Sequence, residues 1–363
     1  MTTDLLSLPL PRLTQWVTEE LGEPKYRAGQ LYEWLHKKQA RTFAEMTNLP
    51  GPLRKKLEET AVLSLPETRL RLTSALDGTQ KFLFAFPDGN CVEAVWMEYH
   101  HGPSLCISTQ VGCRMGCKFC ASTLGGLVRD LTAGELLGEV YQAQREMGRS
   151  ISSLVLMGIG EPLDNLESVL DFLTILSGAE GQNLSLRHVS LSTCGLVPGI
   201  RALMEKKLGL TLSVSLHAAD DKTRESIMPV NRKYPIGELM AVCKEYFAVT
   251  GRRISYEYAL IDGVNDTPAE AEKLAALLKG QNCHVNLIPV NPVAERNTRR
   301  SSREAVKTFA EELGRRGVNA TVRRELGTDI SAACGQLRRS ALGKEDTAEN
   351  KFEEIFAFFP FIG

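Results

Sequence analysis

Cys113, Cys117 and Cys120 stand in the segment Cys-Arg-Met-Gly-Cys-Lys-Phe-Cys, a C-x₃-C-x₂-C spacing that gathers three thiols on one short loop. Thiolates are soft ligands suited to iron or zinc. A four-iron cluster held by only three cysteines keeps one iron open to another molecule, whereas structural zinc wants four Cys or His ligands, usually from two separate pairs. No second pair of this kind follows the loop. Three small buried side chains remain the bland alternative, since isolated cysteines are mostly inert core residues. Gly112 and Gly116 would allow the tight turns that wrap a cluster, and Phe119 would shield it from water.

Nine cysteines in a secreted protein would suggest a disulfide framework, but a reducing compartment shifts the reading towards metal binding or catalysis. The start Met1-Thr2-Thr3-Asp4 lacks the basic region of a signal peptide, and no run approaches the roughly 18 apolar residues of a membrane span. A cytoplasmic protein without a membrane segment is expected. With 43% hydrophobic and 24% charged residues the chain has the balance of a globular protein, and its net charge of −1 excludes a globally polycationic nucleic-acid binder.

The elements that must position the cysteines follow from periodicity. Leu13, Trp16, Val17 and Leu21, then Leu31, Trp34 and Leu35, give helical spacing in an N-terminal accessory domain over 1–65. Strand-like runs near 69–75, 80–86 and 91–98, separated by Asp77-Gly78 and Asp88-Gly89, read as a β-meander, a connecting extension over 66–100. From 101 to 340, strands near 104–109, 152–157, 187–193, 210–216, 253–261, 283–289 and 319–323 alternate with helices near 132–147, 164–177, 197–207, 236–249, 267–280 and 301–317. Parallel strands need crossover helices, so this is an α/β core with a rolled or doubly wound parallel sheet, whose chemistry lies beyond the strands' C-terminal ends. There Gly158-Ile-Gly160-Glu161-Pro162 would let backbone approach a ligand, although an ordinary βα turn looks the same. Residues 341–363 form an aromatic, charged tail to which the sequence assigns no role.

The segments Cys106-Ile-Ser-Thr-Gln-Val-Gly-Cys113, Phe119-Cys-Ala-Ser-Thr-Leu-Gly-Gly126, Met157-Gly-Ile-Gly-Glu-Pro162, Leu191-Ser-Thr-Cys-Gly195, Ser215-Leu-His-Ala218, Asn286-Leu-Ile-Pro-Val-Asn-Pro292 and Asp329-Ile-Ser-Ala-Ala-Cys-Gly-Gln-Leu337 occur in this order. With the cysteine loop, they resemble the radical S-adenosylmethionine (SAM) superfamily and, within it, the RlmN family of dual-specificity RNA adenine methyltransferases. The resemblance runs from about residue 10 to about residue 340. It implies a partial (β/α)6 radical SAM barrel, with one [4Fe-4S] cluster on Cys113, Cys117 and Cys120. It also implies SAM bound by Gly160, Glu161, Ser192, Ser215, Leu216, His217 and Asn291.

The resemblance further implies a methyl relay that consumes two SAM per turnover, because electron-poor carbon 2 of adenine cannot attack a sulfonium methyl. Cys334 would take the methyl and join it to the base, Cys106 would release the product by forming a disulfide with Cys334, and Glu93 would accept the departing proton. On an alternating strand, however, a glutamate more often faces solvent. The implied substrates are an adenosine of 23S rRNA in the peptidyl transferase centre and one of tRNA. The electron would come from an external one-electron reductant of flavodoxin or ferredoxin type, and a monomer is expected.

Carbon 2 lies inside a stacked helix, so the adenine must be splayed out and the RNA backbone gripped. Residues 296–339 hold eleven Lys or Arg against five Asp or Glu, and Arg299, Arg300, Arg303, Arg315, Arg316, Arg323 and Arg324 are candidates for that grip, as are Arg54-Lys55-Lys56. Charge runs are also ordinary solvated faces. Two rivals stay open: a Cfr-type enzyme that methylates carbon 8 by the same relay, and a non-catalytic iron–sulfur RNA-binding protein.

Overall fold

The computed structural model describes residues 2–291, 293 and 295–330. The chain opens with β1 (Thr3–Asp4), α1 (Leu10–Glu19), α2 (Tyr26–His36), α3 (Gly51–Thr60) and β2 (Ala61–Val62), and β2 pairs in parallel with β1 to close the unit. Prolines in the first turns of α1 and α3 suit helix starts, where the missing N–H has no partner to lose. The faces predicted by helical spacing are buried at Leu13 and Val17 on α1 and at Leu31 and Leu35 on α2, and α3, which the spacing did not predict, buries Leu53 and Leu57.

The meander strands β3 (Glu67–Thr73), β4 (Gln80–Ala85) and β5 (Cys91–Tyr99) are antiparallel, and β5 pairs in turn with β6 (Gly102–Ile107). They therefore extend the same sheet as the core. After β6 come a short hairpin, β7 (Gln110–Gly112) with β8 (Leu127–Asp130), and then α4 (Ala133–Met147). The alternation continues as β9 (Ser153–Leu156), α5 (Leu166–Ser177), β10 (Val189–Thr193), α6 (Val197–Glu205), β11 (Thr211–Ser215), α7 (Asp221–Ile227), α8 (Ile236–Thr250), β12 (Ile254–Leu260), α9 (Pro268–Leu278), β13 (Cys283–Pro289), α10 (Arg303–Arg315) and β14 (Ala320–Val322).

Strand order in the ten-stranded sheet is β14-β13-β12-β11-β10-β9-β6-β5-β4-β3, with every neighbour from β6 to β14 parallel. This is the partial (β/α)6 barrel that the resemblance implied, and of the rolled and doubly wound sheets that the alternation allowed it is the rolled one. The hairpin β7–β8 and the short α7 were not foreseen. A seven-residue helix is too brief to show a period, and the hairpin pairs strands separated by the whole cysteine loop.

A parallel sheet is usually apolar on both faces, but this one is not. Leu105, Leu154, Leu191, Leu212, Tyr256 and Leu287 point outward into the core under the helices. The alternate positions carry Cys106, Val155, Ser192, Ser213, Ser215, Glu257 and Asn286, and registers such as Ser192↔Ser213, Ser215↔Glu257 and Glu257↔Asn286 align the polar ones across the interior. Asn286 Nδ2 donates to Glu257 Oε2 at 2.7 Å, and Thr321 Oγ1 lies 3.0 Å from His284 Nε2, so the polar groups satisfy one another.

The outer edges of the sheet are tied together. Asp77, in the β3–β4 turn, accepts from Gly327 N at 2.9 Å, while Asp329 accepts from Ser74 Oγ at 2.7 Å and Ala75 N at 2.9 Å. No helix among the described residues is long and apolar enough to cross a membrane.

His36 joins the N-terminal helices to the barrel: fully buried, its Nδ1 lies 2.9 Å from Tyr141 Oη on α4. Burial lowers its pKa from 6.5 to about 3, so the folded state holds a neutral ring while the unfolded chain takes up a proton below about 6.5. The stability this contributes is present above that pH and is lost as the pH falls towards 3, at up to about 1.4 kcal/mol per pH unit. Urea unfolding at pH 7 and pH 5 should show the loss, and His36→Gln should make the slope shallower; an identical slope would refute the assignment.

Candidate active site

The hairpin β7–β8 brackets the cysteine loop. Cys113 N donates to Gly126 O at 2.9 Å, and a Cβ on Gly112 would lie 2.0 Å from that same carbonyl, so only glycine fits. Within the loop Thr123 Oγ1 donates to the carbonyls of Cys117 and Cys120, both at 3.0 Å, and Lys118 N donates to Ile227 O at the end of α7 at 2.9 Å. Cys113 and Cys117 are buried and Cys120 half-buried. All three face a cavity of about 270 Å³.

The other walls of the cavity come from the C-terminal ends of the strands. Gly160, Glu161, Ser192, Ser215, His217 and Asn291 line it, together with Ser122, Glu257 and Arg323. Leu216 does not: its side chain belongs to the outer core. The Glu161 carboxylate, which burial pushes to a raised pKa, accepts from Cys194 N at 2.7 Å and Leu163 N at 3.1 Å, and so ties the turn after β9 to the end of β10. Gly160 has φ +114°, and a Cβ there would lie 2.8 Å from Gln110 N.

His217 adopts φ +56°, a strained conformation for a residue with a side chain. Asn265 holds it there, donating from Nδ2 to both His217 O and Ala259 O at 2.7 Å. Ala259 N donates to His217 Nδ1 at 2.9 Å, and burial lowers the ring's pKa to about 3. The imidazole is thus neutral with its proton on Nε2, and Phe119 packs edge-on against it.

Cys106 and Glu93 are absent from this lining and share the inner face of β6 and β5, where Cys106 pairs with Val95. Cys106 is buried with Val95 and Met97, and Met157 and Leu326 pack against them. Glu93 is buried rather than solvated, 3.0 Å from Lys81 Nζ in an ion pair of which both members are buried. Cys334 and the tail 341–363 lie outside the described residues.

The basic candidates are largely engaged. Arg299, Arg300, Arg315 and Arg316 pair with Asp262, Glu325, Glu312 and, for Arg316, also Glu272. Arg54 and Lys56 donate to the backbone carbonyls of Ala44 and Leu21. Asn265, Gln110, Glu257 and Arg224 were missed by the sequence reading. They are polar residues on the hairpin strand β7, on the short helix α7, in a βα loop or on a strand's inner face, positions that solvent-facing residues also occupy.

These residues fit a thiolate-bound cluster. Burial pushes the Cys113 thiol up to about 12, with Cys120, Glu161 and Asp164 adding to the effect, so bound metal is what would hold it deprotonated. Ser122 Oγ, in the cavity wall, is buried without a hydrogen-bond partner. No three His, Cys, Asp or Glu side chains among the described residues are arranged to hold a single metal ion. A cluster with one thiolate per iron requires no such common point.

Residues 3–63 match the family model of the ribosomal RNA large subunit methyltransferase N-terminal domain, and residues 107–278 that of the radical SAM superfamily. The chain is 52% identical to the "Probable dual-specificity RNA methyltransferase RlmN" of Lachnoclostridium phytofermentans, over 89% of this chain and 91% of that protein. It is 53% identical to the protein of the same name from Pelotomaculum thermopropionicum, over 88% and 87%. The crystal structure of a radical SAM methyltransferase from Sphaerobacter thermophilus superposes with a TM-score of 0.87 at 44% identity, covering 92% of this chain and 98% of that one.

Replacing Gly160 by Ala should force the turn away from Thr109 and Gln110, costing about 1–3 kcal/mol in stability and weakening SAM binding. Thermal unfolding and calorimetric titration with SAM check this; a variant with wild-type melting temperature and affinity would contradict the close packing of the turn.

Proposed function

The chain belongs to the RlmN family of dual-specificity RNA methyltransferases, and on that premise we propose that it methylates carbon 2 of adenosine in 23S rRNA and in tRNA by radical SAM chemistry. The observation that carries this reading is the convergence of three thiols from one loop on a cavity walled by the strand ends at Gly160, Ser192, Ser215, His217 and Asn291. Cys113, Cys117 and Cys120 would hold the [4Fe-4S] cluster. When bound, the cluster supplies SAM with an electron and thereby a carbon radical able to take hydrogen from an unactivated methyl group.

The chain's own residues supply the rest. Gly160, Glu161, Ser192, Ser215, His217 and Asn291 orient SAM, and His217 can only donate from Nε2, because its Nδ1 already accepts from Ala259 N. Cys334 accepts the methyl from a first SAM, a second being used at the cluster, and carries it to the adenine ring as a thioether. Glu93, a carboxylate in its pair with Lys81, accepts the proton lost from the ring carbon. Cys106 then attacks the sulfur of Cys334. The carbon–sulfur bond breaks, its electron pair stays on the methylene carbon, which takes a proton to become the methyl group of the product, and the two cysteines leave as a disulfide, while the single electron left by the radical addition would return to the one-electron carrier.

An external reductant of flavodoxin or ferredoxin type would return the cysteines to thiols and supply the electron for the cluster. The N-terminal helices and Arg323, at the cavity wall, are the proposed RNA contacts. Cytoplasmic location and a monomeric enzyme complete the reading. Carbon 2 rather than the Cfr-type carbon 8 follows from the family of the closely similar relatives.

Single substitution of Cys113, Cys117 or Cys120 by Ala should abolish the iron content and brown colour of anaerobically reconstituted protein and, with them, reductive SAM cleavage. Stoichiometric zinc in the wild type would refute the cluster. The two relay cysteines should part company. Cys334→Ala should give neither product nor adduct, whereas Cys106→Ala should accumulate as a nuclease-sensitive covalent complex with RNA in denaturing gels. Normal turnover by Cys106→Ala would end the assigned roles, and mass spectrometry of the nucleosides distinguishes 2-methyladenosine from the 8-methyl isomer.

A further inference from the structure

Arg224, on α7, is completely buried. Its Nε donates to Leu216 O at 3.0 Å, its Nη1 to Asn231 Oδ1 at 3.1 Å and Tyr234 O at 3.5 Å, and its Nη2 to Cys194 O at 2.7 Å and Ser215 O at 3.1 Å. Every one of these acceptors is neutral. They satisfy the guanidinium's hydrogens but leave its charge uncompensated, and a buried charge without a counter-ion is among the least favourable things a protein interior can hold. Among the described residues no carboxylate contacts it. Asp221 attracts it without touching it, across the side chain of Asn231, whose Nδ2 donates to Asp221 Oδ1 at 2.9 Å, and Asp221 is itself exposed to screening solvent.

The cysteine loop lies on the other side. Cys194, whose carbonyl Arg224 holds, packs with Cys117, Ile227 and Met228, and Cys120 packs against that group. α7 carries Arg224 and, through Ile227 O, the hydrogen bond from Lys118 N beside Cys117.

We propose that Arg224 is the buried counter-ion of the loaded cluster, its charge compensated by the three thiolates and their irons, and that it raises the potential at which the cluster accepts its electron. The inference rests on the cluster reading above. A cluster with three thiolate ligands is anionic and becomes more so on reduction, so a fixed positive charge one packed residue away, behind Cys194, in a region of low dielectric favours the reduced form. The same guanidinium also ties together the ends of β10 and β11, so charge and geometry must be separated experimentally.

The test is an EPR-monitored redox titration of the full-length, cluster-loaded protein, with iron and sulfide measured on the same samples. Arg224→Gln, which keeps hydrogen-bonding capacity but not charge, should disfavour reduction at least tenfold, about 59 mV for a one-electron couple. Arg224→Lys, which keeps the charge but not the fork, should remain close to the wild type. A Gln variant at the wild-type potential, or a Lys variant that falls as far as Gln, overturns the proposal.

Thermal unfolding with and without cluster gives a second measurement that does not depend on the Gln variant folding. Arg224→Met loses the bonds to neutral acceptors in both forms and should fall further below the wild type when loaded than when empty. Equal losses in both forms, or failure to fold where the empty wild type folds, count against the proposal. A wild type that takes up no cluster would overturn both readings, whereas a loaded wild type with an unmoved Gln potential overturns this one alone.

Discussion

Three thiols can serve one cluster only if a single short loop presents them together before any metal arrives, and the loop's own chemistry works against this. Burial makes Cys113 and Cys117 reluctant to ionise, so charge on the thiols themselves does not organise the empty loop, although Arg114 within it pairs with Asp164. Backbone and side-chain hydrogen bonds do most of the rest. The β7–β8 ladder closes its base, where Gly112 meets Gly126 O too closely for any side chain, and Thr123 bridges the carbonyls of Cys117 and Cys120. Lys118 N anchors the far side to α7. The cavity, the cofactor-facing strand ends and the buried arginine are all arranged around that loop.

The barrel supplies what the loop lacks, a wall of polar groups at defined heights. Because side chains alternate along each strand, an apolar outer face for the helices leaves the inner face free to be polar, and parallel registers align Ser192, Ser213, Ser215, Glu257 and Asn286 from strand to strand. Burying such groups is tolerable only because they bond one another, as Asn286 does with Glu257. At the strands' C-terminal ends the pairing gives way to turns, and there backbone strain at His217 and close approach at Gly160 shape the cavity.

The meander does more than extend the sheet. It places Glu93 beside Lys81 on the face shared with Cys106, and its β3–β4 turn holds Gly327 and Asp329. Leu326 meanwhile packs against the Cys106 cluster. The chain up to Ile330 is therefore anchored on the meander, with Leu326 beside Cys106.

Much of this was legible in the sequence. The alternation of β-rich runs and helical spacing determined that the core strands are parallel, since parallel neighbours demand crossovers, though not their order, and the C-x₃-C-x₂-C spacing determined that three thiols share one loop. The order of motifs from Cys106 onward carried the family. Residues whose roles depend on contacts far along the chain were not legible. Arg224 looks like a solvated helix residue until Cys194, Ser215 and Tyr234 are folded around it, and Glu93 reads as a surface position until Lys81 meets it across the meander. The arginines after 296 look like a free positive surface until Asp262, Glu272, Glu312 and Glu325 neutralise several of them. Periodicity records which face a residue occupies, because that is set by its immediate neighbours; which charge meets which partner is set by packing between distant segments, and only the tertiary structure decides it.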